Sequence, residues 1–156
     1  MAGKIVLVVG SKNSGKTSYL KNIVSRARFK EYQTGGLLCQ GHLQNGNKQA
    51  YSLLDISSES LKPFAAKKKM SNNSFEYGAY HFNRETISWG NQVLRTCRQK
   101  EIIIFDEYGP LEELGLGFEE ELDWLIKNFE GILFISVRPS LKGNIQNRIK
   151  HCLSGR

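Results

Sequence analysis

The stretch "KIVLVVGSKNSGKTSYL", residues 4–20, runs through five consecutive apolar residues, Ile5 to Val9, into a loop bounded by Gly10 and Gly15 and closed by Lys16 and Thr17. An unbroken apolar run of this kind predicts a strand buried on both faces of a parallel sheet. After the loop, Tyr19, Leu20, Ile23, Val24 and Ala27 recur at helical spacing, which predicts a helix over about residues 15–28. Gly10, Gly15, Lys16 and Thr17 match the pattern G-x-x-x-x-G-K-[ST], in the strand–turn–helix context that the pattern requires. Its glycines let successive backbone N–H groups turn inward at a helix N-terminus, making a concave anion site. On this reading Gly10, Ser11, Lys12, Asn13, Ser14, Gly15, Lys16, Thr17 and Ser18 surround a chain of phosphates. Lys16 reaches the β- and γ-phosphates, and the Thr17 hydroxyl is offered to Mg²⁺. Lys16 is expected to stand exposed while the loop is empty.

Two further apolar strands are predicted, "IIIF" at 102–105 and "ILFISV" at 132–137. Helices are expected after Asn83, whose side chain suits an N-cap, then over about 118–129 and over about 143–153. Alternation of buried strands with amphipathic helices implies an α/β chain with a mainly parallel, doubly wound sheet between two helical layers. Residues 1–156 read as one domain. An inserted β-hairpin is expected over about 35–55, turning at Asn45-Gly46, because both residues accept positive φ. Residues 57–73 are polar and read as an exposed loop. "FEYGAYHF" at 75–82 reads as a short strand or extended segment.

The strand at 102–105 delivers Asp106 and Glu107 to the carboxyl end of the sheet, where such sheets bind ligands. An acid directly after an apolar strand suits a share in holding Mg²⁺, so Asp106 joins Thr17 as a metal candidate. Glu107 is the candidate that polarises an attacking water, and with Lys16 it forms the catalytic pair expected from sequence. Arg138, leaving the 132–137 strand, is a candidate for neutralising charge in the transition state, or else a structural arginine. Asp106-x-x-Gly109 also spells the D-x-x-G of GTP switch proteins. The guanine-reading N-K-x-D that should follow a later strand is replaced by Arg138-Pro139-Ser140-Leu141, which disfavours a guanine-specific switch.

Composition adds limits. Twenty-two basic against 15 acidic residues give a formal charge of +7, which favours anionic partners. The run Lys67-Lys68-Lys69 leaves a nucleic acid or other polyanion open, although no recognised nucleic-acid motif accompanies it. No apolar run approaches the ~20 residues of a membrane-spanning helix. Cys39, Cys97 and Cys152 lack metal-type spacing and read as reduced thiols, and a cytoplasmic location is expected.

The segments "GSKNSGKTSYL", the hairpin "GGLL…NGNKQAYSLLD", "YGAYHFN" and "IIIFDEYGPLEELGLGFEEEL" occur together in an order that resembles one family. This is the small P-loop nucleoside-triphosphatases of the thermophilic phosphohydrolase and cancer-related type. The resemblance spans about residues 4–150. It implies a RecA-like P-loop fold and slow, Mg²⁺-dependent hydrolysis of ATP, GTP and other nucleoside triphosphates with loose base preference. Two other readings stand beside it. One is a nucleotide-dependent binding module with weak hydrolysis. The other is a nucleoside or nucleotide kinase, which would need an acceptor site and an arginine-rich lid that only Arg95 and Arg98 approach.

Overall fold

The computed structural model describes residues 3–155. In chain order the elements begin with β1 (Lys4–Val9), α1 (Lys16–Phe29), β2 (Thr34–Gln44), β3 (Asn47–Asp55), β4 (Leu61–Ala66), β5 (Ser74–Tyr77) and β6 (Tyr80–Asn83). They continue with α2 (Arg84–Thr96), β7 (Ile102–Tyr108), a short α3 (Pro110–Glu113), α4 (Glu119–Asn128), β8 (Ile132–Val137) and α5 (Lys142–Ser154). A single 3₁₀ turn, Pro139–Leu141, joins β8 to α5.

The eight strands form one sheet in the order β1-β8-β7-β2-β3-β4-β6-β5. β1, β8, β7 and β2 are mutually parallel, and from β2 onward every pairing is antiparallel. Side-chain alternation along the parallel strands assigns the two faces. Leu38, Ile102 and Ile104 pack with Leu20, Val24 and Ala27 of α1. Leu37, Ile103 and Phe105 join Leu94 of α2, Leu122 and Leu125 of α4, and Ile145 of α5. Helices therefore cover both faces, as the apolar patterning implies.

Local signals act as expected at several points. Asn45 and Gly46 turn the β2–β3 hairpin with φ of 54° and 81°, the two positive values that such a turn needs. The Asn83 side chain accepts from the backbone N–H groups of Glu85 and Thr86 at 3.0 and 3.4 Å and caps α2.

Four expectations are corrected. The sheet is mixed rather than mainly parallel, with three parallel pairings and four antiparallel ones, because the inserted segment continues past the β2–β3 hairpin through β4, β5 and β6. The segment 57–73 is not an exposed loop throughout. It contains β4, which pairs with β3 and β6 and buries Phe64, Ala65 and Ala66, while Lys67, Lys68 and Lys69 are exposed. Residues 75–82 form not one strand but most of the β5–β6 hairpin. β1 is not buried on both faces. Among the described residues it pairs with β8 alone and lies at the edge of the sheet, its central residues half-buried.

Close approach of two strands makes Gly36 indispensable. Its φ is +109°, and a Cβ built there would lie 2.0 Å from the carbonyl oxygen of Ile104 on β7. Gly36→Ala should therefore lower unfolding free energy in urea by at least ~2 kcal/mol, from backbone strain plus separation of β2 from β7. An unchanged unfolding midpoint would contradict this packing of the two strands.

Candidate active site

The loop between β1 and α1 is shaped by two residues in the left-handed region, Asn13 at φ 63° and Gly15 at φ 93°. A Cβ at Gly10 would lie 2.4 Å from the Ser14 hydroxyl oxygen, which would have to turn away from the loop. Alternating backbone conformations of this sort turn N–H groups toward a common centre. Lys16 departs from expectation: it is only 8% exposed. Its ammonium donates to the carbonyls of Gly10 and Ser11 at 2.7 and 2.9 Å, bracing the loop from within. A lysine ammonium in water has three donors to satisfy, and two loop carbonyls meet most of that demand.

Thr17, in the first turn of α1, donates its hydroxyl to Asp106 Oδ2 at 2.8 Å. Asp106 is buried at the end of β7. It also accepts the Cys39 N–H at 3.0 Å on Oδ2 and the Ser136 hydroxyl at 2.6 Å on Oδ1. Burial pushes the Asp106 carboxyl above its usual range, against the lowering effect of these three donors, and the neighbouring Glu107 charge adds to the rise.

Glu107 occupies a bulge, where the pairing of β7 with β8 shifts register between Phe105 and Tyr108. Its φ of +78° is unusual for a residue with a side chain. Bulges re-aim side chains beside active sites, and this one turns Glu107 out of the strand's alternation. The Glu107 N–H donates to the Ser136 hydroxyl oxygen at 2.6 Å, and its carboxylate pairs with Arg138 at 3.0 Å.

The structure thus brings the sequence-predicted residues together. Lys12, Asn13, Ser14, Gly15, Lys16, Thr17, Ser18, Asp106, Glu107 and Arg138 all border one cavity of about 710 Å³. Gly10 and Ser11 serve that loop through their carbonyls. Arg95 and Arg98 do not form a lid, because both pair with Glu121 of α4, at 2.7 and 2.8 Å. Sequence reasoning missed Ser136, which links Asp106 to the Glu107 backbone. Its one signal was a hydroxyl residue inside an otherwise apolar strand. Glu112 entered only through the family resemblance, although Gly109-Pro110-Leu111-Glu112 has the spacing of a helix start with an acid at its third position. Glu112 is 4% exposed and accepts N–H groups from Gly109 at 2.8 Å and Phe118 at 3.3 Å.

Strand, glycine loop and helix, with an acid-tipped parallel strand one place removed in the sheet and set against the helix start, are the architecture of the P-loop NTPase fold. The chain belongs to the family described as NTPase, whose model matches residues 5–155. It is similar to the nucleoside-triphosphatase THEP1 of Caldivirga maquilingensis, 22% identical over 86% of this chain and 76% of that protein. The protein of the same name from Methanocaldococcus jannaschii is 22% identical over 82% of this chain and 75% of its own length. In fold the chain resembles the crystal structure of THEP1 from the hyperthermophile Aquifex aeolicus, with TM-score 0.72 and 17% identity, covering 96% of this chain and 85% of that one. It also resembles the solution structure of a human cancer-related nucleoside triphosphatase, with TM-score 0.73 and 16% identity, covering 94% and 85%. The α/β P-loop class expected from sequence is the class observed.

The burial of Glu112 has a measurable consequence. Desolvation pushes its carboxyl from 4.5 up to about 7, opposed by the N–H groups of Gly109 and Phe118 and aided by the charge of Glu119. A carboxyl whose folded value lies above its unfolded one binds more protons when folded, so its contribution is complete below the unfolded value and is lost as pH rises through the folded one. The stability of the wild type relative to Glu112→Gln should therefore decline from about pH 4.5 to about pH 7, by at most a few kcal/mol. Urea titrations of both proteins across this window check it. A difference that grows with pH would contradict the burial.

Proposed function

We propose that the protein hydrolyses nucleoside triphosphates to diphosphate and phosphate, in a Mg²⁺-dependent and slow reaction with loose preference for the base. The observation that carries this reading is the meeting of Thr17 and Asp106 at 2.8 Å beside the glycine loop, with Glu107 next in the chain. The relatives' name, nucleoside-triphosphatase, points the same way.

Mg²⁺ suits these residues. The Thr17 hydroxyl and the Asp106 carboxylate are hard oxygen donors side by side. Among the described residues no group of three or more His, Cys, Asp or Glu side chains could cage a metal alone. A site with one carboxylate, completed by phosphate oxygens and water, is the form that Mg²⁺ takes in phosphoryl-transfer proteins. Held there, Mg²⁺ would neutralise charge on the phosphate oxygens.

The remaining work falls to the chain itself. The loop N–H groups bind the phosphates, and Lys16 exchanges its two carbonyl partners for the β- and γ-phosphate oxygens. Glu107 orients a water against the γ-phosphorus and takes its proton. A new P–O bond then forms as the bond to the β-phosphate oxygen breaks, and that electron pair leaves with the diphosphate. The Glu107 carboxylate is held by Arg138. Both side chains are partly exposed, and pairs of this type contribute only about 0–1 kcal/mol, so the pairing is readily exchanged. A γ-phosphate arriving nearby offers Arg138 a more highly charged partner, which releases Glu107 for the water. Ser136 acts as a positioning residue, tying the Glu107 backbone to the Asp106 carboxylate.

General-base help is typically worth ~10²–10⁴ in rate. Glu107→Gln should bind Mg–ATP within severalfold of wild type and hydrolyse it at least ~100-fold more slowly in a single turnover. Equal turnover in the two proteins would remove Glu107 from the mechanism. Lys16→Ala loses charge-assisted bonds to phosphate and should weaken Mg–ATP binding at least ~10-fold by calorimetry. Unchanged affinity would overturn the assignment of the phosphate loop.

A further inference from the structure

The cavity of about 710 Å³ reaches far beyond the phosphate loop. Its remote wall is aromatic. Tyr51 and Tyr80 meet edge to face with centroids 5.5 Å apart, Phe64 and Phe82 at 5.3 Å, and Phe105 and Phe118 at 5.9 Å. These rings lie on the sheet face covered by α2 and α4, whereas the phosphate loop leads into α1 on the opposite face. Lys16 and Asp106 mark the γ end of a bound triphosphate. On the proposed reading the aromatic space lies beyond the γ end of the triphosphate, and the nucleoside leaves from the opposite end of the phosphate chain.

The glycine loop, Lys16, Thr17 and Asp106 line the part of the cavity that a triphosphate takes up, and the six rings line the rest, with Phe64, Phe105 and Phe118 buried at its floor. A concave void of a few hundred Å³ with aromatic walls and few polar groups is the usual form of a small-molecule site. The polar groups set the ligand's chemistry. Glu112 borders the cavity, each of its oxygens accepting one backbone N–H, and a carboxylate oxygen can accept more than one bond. Asp106 and Glu107 add acceptors, and Cys39 adds a thiol. Lys48 stands over the Tyr51 ring at 5.7 Å, engaged with the protein, and the exposed Lys67 also borders the cavity. Flat walls with acceptors among them suit a planar, uncharged ring that brings donors of its own.

We propose that the aromatic end of the cavity is a second small-molecule site, which takes a planar, uncharged, bicyclic-sized aromatic compound bearing a hydroxyl or amino donor and is filled alongside the nucleotide rather than by it. Simultaneous filling rests on the reading of the glycine loop as the triphosphate site; the aromatic site itself does not. A compound bound there stands against Glu107 and Asp106, on the side from which the γ-phosphate is attacked.

The probe is 2-naphthol, titrated into the full chain by ligand-observed NMR, with and without saturating Mg–ADP. It should bind at about 1 mM or tighter, as an eleven-atom ligand in an apolar pocket does. Its affinity should change by less than ~3-fold when Mg–ADP is present. Cys39→Phe, which fills the cavity, and Tyr80→Ala, which removes a wall, should each weaken it at least ~10-fold, with thermal melting confirming that each variant is folded. If Cys39→Phe does not fold, Tyr80→Ala decides. Displacement of 2-naphthol in proportion to Mg–ADP would overturn the proposal, because the cavity would then be the nucleoside pocket. Absence of binding at ~5 mM would overturn it as well, as would binding that a folded variant leaves unchanged. If 2-naphthol binds and the variants weaken it while Mg–ADP itself does not bind, the aromatic site stands and the triphosphate reading fails.

Discussion

The hydrogen bond from Thr17 to Asp106 closes a contact between residues 89 positions apart, joining the start of α1 to the end of β7. Everything the site does depends on that closure. It sets a hydroxyl that follows the glycine loop against a carboxylate at the carboxyl end of the sheet. The bond is possible because β8 lies between β1 and β7 and pairs in parallel with both, which brings the carboxyl ends of all three strands to one rim. The same β8 supplies Ser136 from its interior and Arg138 from just beyond its end.

Asp106 is costly to place there. A carboxylate out of water is tolerated only when it is well hydrogen-bonded, and here Thr17, Cys39 and Ser136 supply donors from three different elements. Each of those elements is held by the core on its own account. α1 is held by Leu20, Val24 and Ala27, β2 by Leu37 and Leu38, and β8 by Leu133 and Ile135, all buried. The rigid packing on both sheet faces therefore supports a polar cluster at the rim that would not assemble by itself. One residue further on, order gives way to adjustability. Glu107 is turned outward by a bulge and held by a partly exposed arginine, an arrangement whose ion pair can change partner without disturbing the core.

What the sequence made legible was local. The apolar run, the glycine loop and the helical spacing after it lie within two dozen residues, and each has one physical reading. Asp106 and Glu107 were legible because an apolar strand ending in acids has an expected place in a parallel sheet. What escaped depended on distant partners. The burial of Lys16 comes from two loop carbonyls that only the folded turn presents. An apolar run such as 5–9 records burial but not the number of neighbouring strands, so the edge position of β1 was hidden. β4 was hidden in a polar segment, with Lys62 and Pro63 at its start, because only Phe64, Ala65 and Ala66 face inward. Its pairing with β3 passes through an irregular register. The aromatic wall was divided among β3, β4, β6, β7 and the residue before α4, and no window of sequence contains it.

Steady-state release of phosphate from ATP, GTP, CTP and UTP, each with Mg²⁺ and with a chelator, distinguishes a site that cleaves triphosphates with little regard to the base from one that only binds them. Release is expected from all four with Mg²⁺, with kcat/KM values within about tenfold of one another, a spread of about 1.4 kcal/mol, and is expected to be lost with the chelator. Bound nucleotide without any phosphate release, or a preference for one base beyond about 1000-fold, would contradict this expectation.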